Sequence, residues 1–368
     1  MKKRVYIAVT NDLQTDQRVH KVCQTLLNAG YEPRLIGILK SNSKPLSRPY
    51  RVERFPMIFS RSCLFYAEYN IRLFFYLLAS KADIILANDT DTLLAAYCAA
   101  SLRRKPIVFD AHELYTEVPE LVNRKVVKKI WQSIENLILP HIKYAYTVCQ
   151  PIADIYKRRN GIQMSVVRNA PFLQKPCPES KKTLSFPGKK ILLYQGAINV
   201  GRGIEWVIDA MPHIPNAVFC IAGDGDILEQ IRQQISDKKL EDKVVLLGRI
   251  SLEELHKYTC SADLGISLLE NRGLNYYYSL PNRIFDFVQA GVPVLATDFP
   301  EIRSIVEQYK IGVLTTDYSP ENLASTIQST LDYWENKADK HQIFDRAKKE
   351  LCWENEEKTI LNLFNKIG

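Results

Sequence analysis

Short, continuous apolar runs recur along this chain, separated by stretches with helical periodicity. In the first half the runs are Val5–Val9, Pro33–Ile38, Asp83–Ala87, Pro106–Phe109 and Ala145–Val148. In the second half they are Lys190–Tyr194, Ala217–Ala222, Val244–Leu247, Leu264–Ser267 and Val292–Ala296. A strand buried on both faces reads as such a run rather than as strict alternation. Amphipathic segments such as Asp16–Ala29 and Asp91–Leu102 lie between the runs. This alternation predicts parallel sheets with helices on both faces. The chain has 368 residues, and domains commonly hold about 100–200. The expectation is therefore two Rossmann-like, doubly wound α/β domains rather than one long sheet.

A breaker cluster between Asn169 and Pro187 marks the linker. It contains Pro171, Pro176, Pro178, Pro187 and Lys181-Lys182. The expected domains are residues 1–170 and 171–350, with a closing segment at 351–368. In that segment Trp353, Ile360, Leu361 and Phe364 fall on one side of a helix spanning Trp353–Phe364. Charge divides at the same boundary. Residues 1–170 hold 26 Lys+Arg and 14 Asp+Glu, and the remainder hold 23 and 27. A basic first half and a slightly acidic second half point to different partners. There is no internal repeat and no low-complexity tract.

Met1-Lys2-Lys3-Arg4 resembles the basic start of a signal peptide, but the apolar run after it is short and Asn11-Asp12 follow. No run approaches the roughly 20 apolar residues that span a bilayer, so a cytoplasmic location is expected. The eight cysteines are scattered, with no Cys-x-x-Cys pair and no zinc spacing. They read as buried, reduced thiols.

In open α/β sheets, ligands bind outside the carboxyl ends of the strands. The loop Gln195–Gly203 follows one apolar run and carries Gly196, Gly201, Arg202 and Gly203. Glycines permit close backbone approach, the next helix offers free N–H groups to an anion, and Arg202 adds a guanidinium fork. No Gly-Lys-Ser/Thr follows, so this is not a Walker loop. A flexible turn with a solvated Arg is the bland alternative.

Further on, Tyr278-Ser279-Leu280-Pro281-Asn282-Arg283 leads into a helix, with Pro281 expected in its first turn. Its first amides and Arg283 form a second anion site. Asp286, three residues on, can share a face with Arg283 and accept from ribose hydroxyls. A surface Arg–Asp ion pair is the alternative. Gly223-Asp224-Gly225-Asp226 reads as a tight turn, with Asp226 able to cap the helix after it. The backbone of Gly248-Arg249-Ile250 could lie against a base.

In the first half, His112 ends a strand, where chemistry is expected, although a lone His is often structural. Asn11, Asp12 and Arg18 surround the turn after the first run, which lacks a Gly-x-Gly-x-x-Gly pattern. Asp89-Thr90-Asp91 has an Asp-x-Asp spacing, but a helix start accounts for it better than a metal does. Arg124, Lys125, Lys128 and Lys129 alternate with Val126, Val127, Ile130, Trp131 and Ile134. This is a basic amphipathic helix that can face anionic lipid, or simply a core-facing helix with a solvated basic face. The aromatic-rich stretch Cys63–Leu78 either extends that surface or packs inside. No nucleic-acid motif is present.

Taken in order, these pieces resemble a GT-B-fold glycosyltransferase of family 4, of the bacterial surface-polysaccharide type. The resemblance spans essentially the whole chain. It rests on Asn11-Asp12…Asp16-Gln17-Arg18-Val19, Asp110-Ala111-His112-Glu113-Leu114-Tyr115, Gly196…Arg202-Gly203, Ala222-Gly223-Asp224-Gly225 and Leu280-Pro281-Asn282-Arg283-Ile284-Phe285-Asp286…Ala290-Gly291-Val292-Pro293-Val294. The resemblance implies two Rossmann-like domains facing a cleft, with the terminal helix returning to the first. It implies metal-independent, retaining transfer from a UDP- or GDP-linked sugar to an acceptor hydroxyl.

By resemblance, Arg202 matches the Lys/Arg of the phosphate loop, Arg283 sits near the second cation, Asp286 holds ribose, and His112 faces the transferred sugar. Donor contacts are expected from Gly196, Gly201, Gly203, Gly223, Asp224, Arg249, Ile250, Tyr278, Ser279, Leu280 and Asn282, and acceptor contacts from Asn11, Asp12, Arg18 and Glu113. Tyr278 stands where the family often has Glu, and Ala197 where many members have a first phosphate Arg. The expected partners are a nucleotide sugar, a glycan or lipid-linked acceptor, and anionic membrane through the basic first domain. The alternatives are a nucleotide-sugar epimerase of the same fold and a non-catalytic nucleotide-sugar-binding protein.

Overall fold

The computed structural model describes residues 2–41, 43–118, 121, 124–175 and 183–367. It divides into two compact units. The first is Met1–Asn169 with Gly273–Asn275 and Asn355–Gly368; the second is Ala170–Arg272 with Tyr276–Glu354.

Among the described residues, the first unit holds a seven-stranded sheet in the order β3-β2-β1-β4-β5-β6-β7. The strands are β1 Arg4–Ala8, β2 Glu32–Leu39, β3 Arg51–Pro56, β4 Ile84–Asn88, β5 Ile107–Ala111, β6 Tyr144–Thr147 and β7 Ser165–Val166. Every pairing is parallel. The central strands follow directly from sequence: all five residues of β4 and of β5 are buried, as expected for strands covered on both faces. β3 was not among the expected runs. Its Arg51, Glu53 and Arg54 break the apolar continuity, and charge is one way a chain protects an edge strand from further pairing. The helix Gln17–Asn28 starts where Asp16 accepts a hydrogen bond from the Val19 N–H, an N-cap contact that stabilises by about 1 kcal/mol. Its Val19, Val22, Cys23 and Leu26 are buried.

Among the described residues, the second unit holds six parallel strands in the order β10-β9-β8-β11-β12-β13. These are β8 Lys190–Gln195, β9 Ala217–Ala222, β10 Val244–Gly248, β11 Leu264–Ser267, β12 Val294–Thr297 and β13 Gly312–Thr315. Two buried clusters fill the faces of this sheet, one around Phe285, Phe287 and Trp334, the other around Tyr194, Phe219 and Leu268. Gly265 has no room for a side chain, since a Cβ there would lie 2.4 Å from the Phe287 ring.

In both sheets chain order reverses beside the first strand of the unit, between β1 and β4 and between β8 and β11. These are the topological switch points at which α/β sheets bind ligands. Part of the expected linker, residues 176–182, lies outside the described residues, including Pro176, Pro178 and Lys181-Lys182. Among the described cysteines, Cys23, Cys63, Cys98, Cys149, Cys220 and Cys352 are free. Cys260 departs from the expected reduced state, being disulfide-bonded.

Candidate active site

In the second unit, three loops at the carboxyl ends of β8, β9 and β10 are stitched together through the backbone. The Gly196 N–H donates to the Ala222 carbonyl, Ile198 to Asp224, Gly223 to Gly248, and Ile227 to Ile198. Two glycines make this fit possible. A Cβ at Gly223 would lie 1.9 Å from the Gly196 carbonyl oxygen, and one at Gly203, where φ is +68°, would lie 2.5 Å from Leu268 Cβ.

Two arginines are held in this corner. Arg283 is 7% exposed, and its guanidinium lies 4.3 Å from the Tyr194 ring centroid. The guanidinium of Arg202 lies 5.0 Å from the ring of Tyr276. Nη1 of Arg283 and Nε of Arg202 are buried and make no hydrogen bond among the described residues. Burial holds Arg283 below the ordinary arginine pKa, and the neighbouring positive charge of Arg202 adds to the effect. Two cations stabilised by aromatic faces, with donors unmatched, have the electrostatics of a site that awaits an anion.

The helix Asn282–Ala290 begins beside them, with Pro281 at the cap, one residue earlier than expected. Asp286 accepts a 2.9 Å hydrogen bond from Gln195 Nε2, and Thr259 holds the other end of that amide at 2.8 Å. The Ser279 hydroxyl donates to the Tyr276 carbonyl. Leu280 and Ile250 pack against the core, Asn282 is exposed, and Tyr278 stands edge-on to Tyr277. Asp224 pairs with Arg249 at 3.2 Å, both largely in solvent. Asp226 does not cap the following helix. That helix, Leu228–Asp237, starts two residues later at an Ile227 cap without a side-chain bond, while the Asp226 N–H donates to Asn199.

In the first unit, His112 lies just beyond β5. Its Nε2 is 3.0 Å from both Asn88 Oδ1 and Asp110 Oδ2, and Nδ1 is 3.5 Å from Asp89 Oδ2. Burial opposes the imidazolium, but Asp110 and Asp89 outweigh it and raise the pKa to about 9. Arg18 is buried and grips Asp110 with Nε and Nη2, while Nη1 donates to the Val167 carbonyl at 2.8 Å. Burial would raise Asp110, yet Arg18 and His112 bring it down to about 2. Burial dominates at Asp89 and Asp91, raised to about 7 and about 6.

Asp89 starts its helix at φ +57° and accepts from the His112 N–H; Asp91 accepts from Thr10 at 2.5 Å. The two acids of the Asp-x-Asp thus serve different partners. Among the described residues no group of three His, Cys, Asp or Glu is arranged to hold a metal ion. Asn11 closes its own turn, accepting from the Leu13 N–H and donating to Asp16. Asp12 accepts from Gln14.

Residues 178–350 match the family described as glycosyl transferases group 1, and residues 16–170 match glycosyltransferase family 4. The chain belongs to this glycosyltransferase family. The alpha-monoglucosyldiacylglycerol synthase of Streptococcus pneumoniae is 26% identical over 178 residues, 46% of this chain and 38% of the relative. The matched stretches span under half the length of the curated relatives. Among solved structures, sucrose-phosphate synthase from Thermosynechococcus elongatus superposes with a TM-score of 0.83 at 18% identity, over 100% of this chain and 99% of that one. The Anabaena HepE protein in complex with UDP-glucose superposes at 0.77 and 16% identity, over 99% of each chain. The fold is GT-B, with its two parallel α/β sheets.

Several residues of the site escaped the sequence reading. Tyr194 meets Arg283, Gln195 holds Asp286 from 91 positions away, and Thr259 holds Gln195 from 64; no local pattern announces such pairings. Arg272 and Glu270 flank Gly201, whose Cβ would lie 2.8 Å from Arg272 Cδ. Asn275 accepts from the Leu114 N–H and donates to Glu113, both at 3.0 Å. Glu113, expected to meet the acceptor, is thus held by an amide from far along the chain.

Proposed function

We propose that this transferase moves a sugar from a nucleoside diphosphate sugar to an acceptor hydroxyl without a metal ion and with retention of anomeric configuration. The observation that carries the reading is the pair of guanidinium groups beside the glycine loops, Arg283 buried and Arg202 half-buried, each with one buried nitrogen that makes no hydrogen bond among the described residues. Departure of the nucleoside diphosphate is the hard step, and preorganised cations and N–H dipoles stabilise the charge that develops. The first amides of the Asn282–Ala290 helix add a positive dipole end. Asp286, steadied by Gln195, accepts from ribose hydroxyls. The base lies against Gly248–Ile250. The donor is UDP- or GDP-linked; the UDP-glucose in the HepE complex favours UDP.

The acceptor belongs to the first unit, with Asn11, Asp12 and Glu113 shaping its pocket. His112 is neither nucleophile nor base in this scheme. Held as an imidazolium by Asp110 and Asp89, it orients hydroxyls through Nδ1, which lies 3.5 Å from Asp89 Oδ2. Arg18 acts only through Asp110 and His112, because its own donors are engaged. Among the described residues no carboxylate is an obvious nucleophile, and in the proposed route the acceptor oxygen attacks from the face the diphosphate leaves. The acceptor is a lipid-linked glycan at the cytoplasmic membrane face; that the S. pneumoniae relative is named for a monoglucosyldiacylglycerol product favours a lipid-bearing acceptor. A thermal-shift screen with UDP, GDP, ADP and their sugars tests the donor. A ligand present at 100 times its Kd stabilises the folded state by about 2.7 kcal/mol, and no shift with any of them would sink the reading.

A further inference from the structure

We propose that the outer face of the helix Ser62–Ala79, with the start of the helix Lys125–Ile138, forms a surface that lies in the interface of an anionic lipid bilayer. The helix Ser62–Ala79 buries Tyr69, Leu73 and Leu77, four residues apart, against the first unit. The opposite face carries Leu64, Ile71, Phe75 and Leu78, at separations of 7, 4 and 3, which one side of a helix presents together. Ile71 is 59% exposed and Phe75 63%. Ile58 and Phe59, also exposed, are fixed beside the helix because Glu68 accepts from both of their N–H groups. Glu68 also pairs with Arg72 at 2.8 Å, so the one acid of this helix is already matched.

The second helix adds cations. Tyr66 meets Trp131 edge-on, with ring centroids 5.3 Å apart. Trp131 itself is buried, so the aromatic residue that made this helix look lipid-facing in sequence belongs to the core. Val126, Val127 and Ile130 are exposed instead, beside Arg124, Lys125 and Lys129. The acid of this helix, Glu135, is buried against Thr90. Among the described residues of the two helices, large apolar side chains therefore mix with exposed cations and with no unmatched exposed acid. Acidic headgroups above an acyl boundary satisfy both. No helix among the described residues is long and apolar enough to cross a membrane, so the contact lies in the plane of the interface. Its use in reaching a lipid-linked acceptor rests on the proposed function; the contact itself does not.

The test is co-sedimentation of the full chain with vesicles of equal parts phosphatidylglycerol and phosphatidylcholine, and with phosphatidylcholine alone. Wild type should bind the anionic vesicles at low salt and release them at high salt. Each cation near such a surface is worth about 1 kcal/mol, roughly fivefold in partition, so Lys125→Glu with Lys129→Glu should weaken binding at least 25-fold. Ile71→Ser with Phe75→Ser should weaken it roughly tenfold or more. Both double variants should keep the wild-type melting temperature and its shift with UDP.

Failure of wild type to bind anionic vesicles would overturn the proposal, as would undiminished binding by the Ile71→Ser, Phe75→Ser variant. A lipid-free dimer abolished by that variant would also overturn it, because the face would then join two copies. Absence of any nucleotide shift in wild type would instead sink the donor reading and leave this one standing.

Discussion

Replacing Arg283 by Met separates a cation kept for a ligand from one kept for the fold. Met fills a similar slot without charge or donors. In the ligand-free protein the change removes one buried, unmatched donor, Nη1, whose desolvation costs about 1–3 kcal/mol. It also removes the stacking of the guanidinium on Tyr194 at 4.3 Å, worth about 0.5–2 kcal/mol. These terms oppose each other, so the expected net change in unfolding free energy is within about 1 kcal/mol of zero. For a unit of this size that is a melting shift of about 2–4 °C at most. Were Arg283 part of a structural ion pair, breaking it would destabilise by about 3–5 kcal/mol.

With UDP the prediction inverts. Wild type gains stability with nucleotide and the variant gains little, while kcat/KM for transfer falls roughly 100- to 1000-fold, the size seen on losing one transition-state donor. The assays are melting scans with and without UDP and a donor-turnover assay. A variant that melts far below wild type, or that keeps both the UDP shift and the rate, would refute the reasoning.

Arg202→Ala should behave alike, lowering kcat/KM roughly 100-fold or more with little change in melting, as read by the same pair of assays. Turnover should survive EDTA; complete loss restored by Mg²⁺ or Mn²⁺ would return attention to Asp89 and Asp91. The anomeric coupling constant of the product, read by NMR, should show retention, and inversion would exclude a same-face route. His112 supplies a pH signature. Its folded pKa is raised to about 9, so the imidazolium's contribution is complete below its ordinary value of 6.5 and is lost as pH rises through about 9. The rate should fall on that alkaline limb, and His112→Asn should lower the plateau and abolish the limb.

Most of the fold was legible in the sequence because its information is local. A strand buried on both faces reads as an apolar run, and β9 is apolar throughout while β4 and β5 are apolar up to Asn88 and Asp110 at their carboxyl ends. Edge strands lack that constraint: three of the six residues of β3 are charged, and β7 is two residues long. Of the candidate site, the glycine turns and Arg202 could be read because they follow an apolar run within a few residues, and Arg283 because Pro281 marks the start of its helix. Their supports could not. Arg18 reads as an acceptor-binding cation beside a turn, and only the folded chain brings it to Asp110, 92 positions away. Asp226 shows the opposite error, a residue with the right chemistry for a cap one position too early.

The two units treat positive charge in opposite ways, and that contrast argues which of them takes the anionic donor. In the first, the cation at the strand ends is surrounded by acids: His112 lies within 3.5 Å of carboxylate oxygens from both Asp110 and Asp89, and Arg18 is matched by Asp110 and a carbonyl. A diphosphate arriving there would meet carboxylates already holding the cations, and like charges at such distances repel. In the second, Arg283 lies on an aromatic face with its Nη1 unmatched, and a second guanidinium lowers its pKa further. An arriving diphosphate relieves both conditions at once, since it supplies the missing acceptors and the missing negative charge. On the proposed reading, the energetic gain from binding an anion is thus concentrated at the β8 end of the second sheet. The neutralised, hydroxyl-ordering environment of His112 suits an uncharged sugar hydroxyl instead.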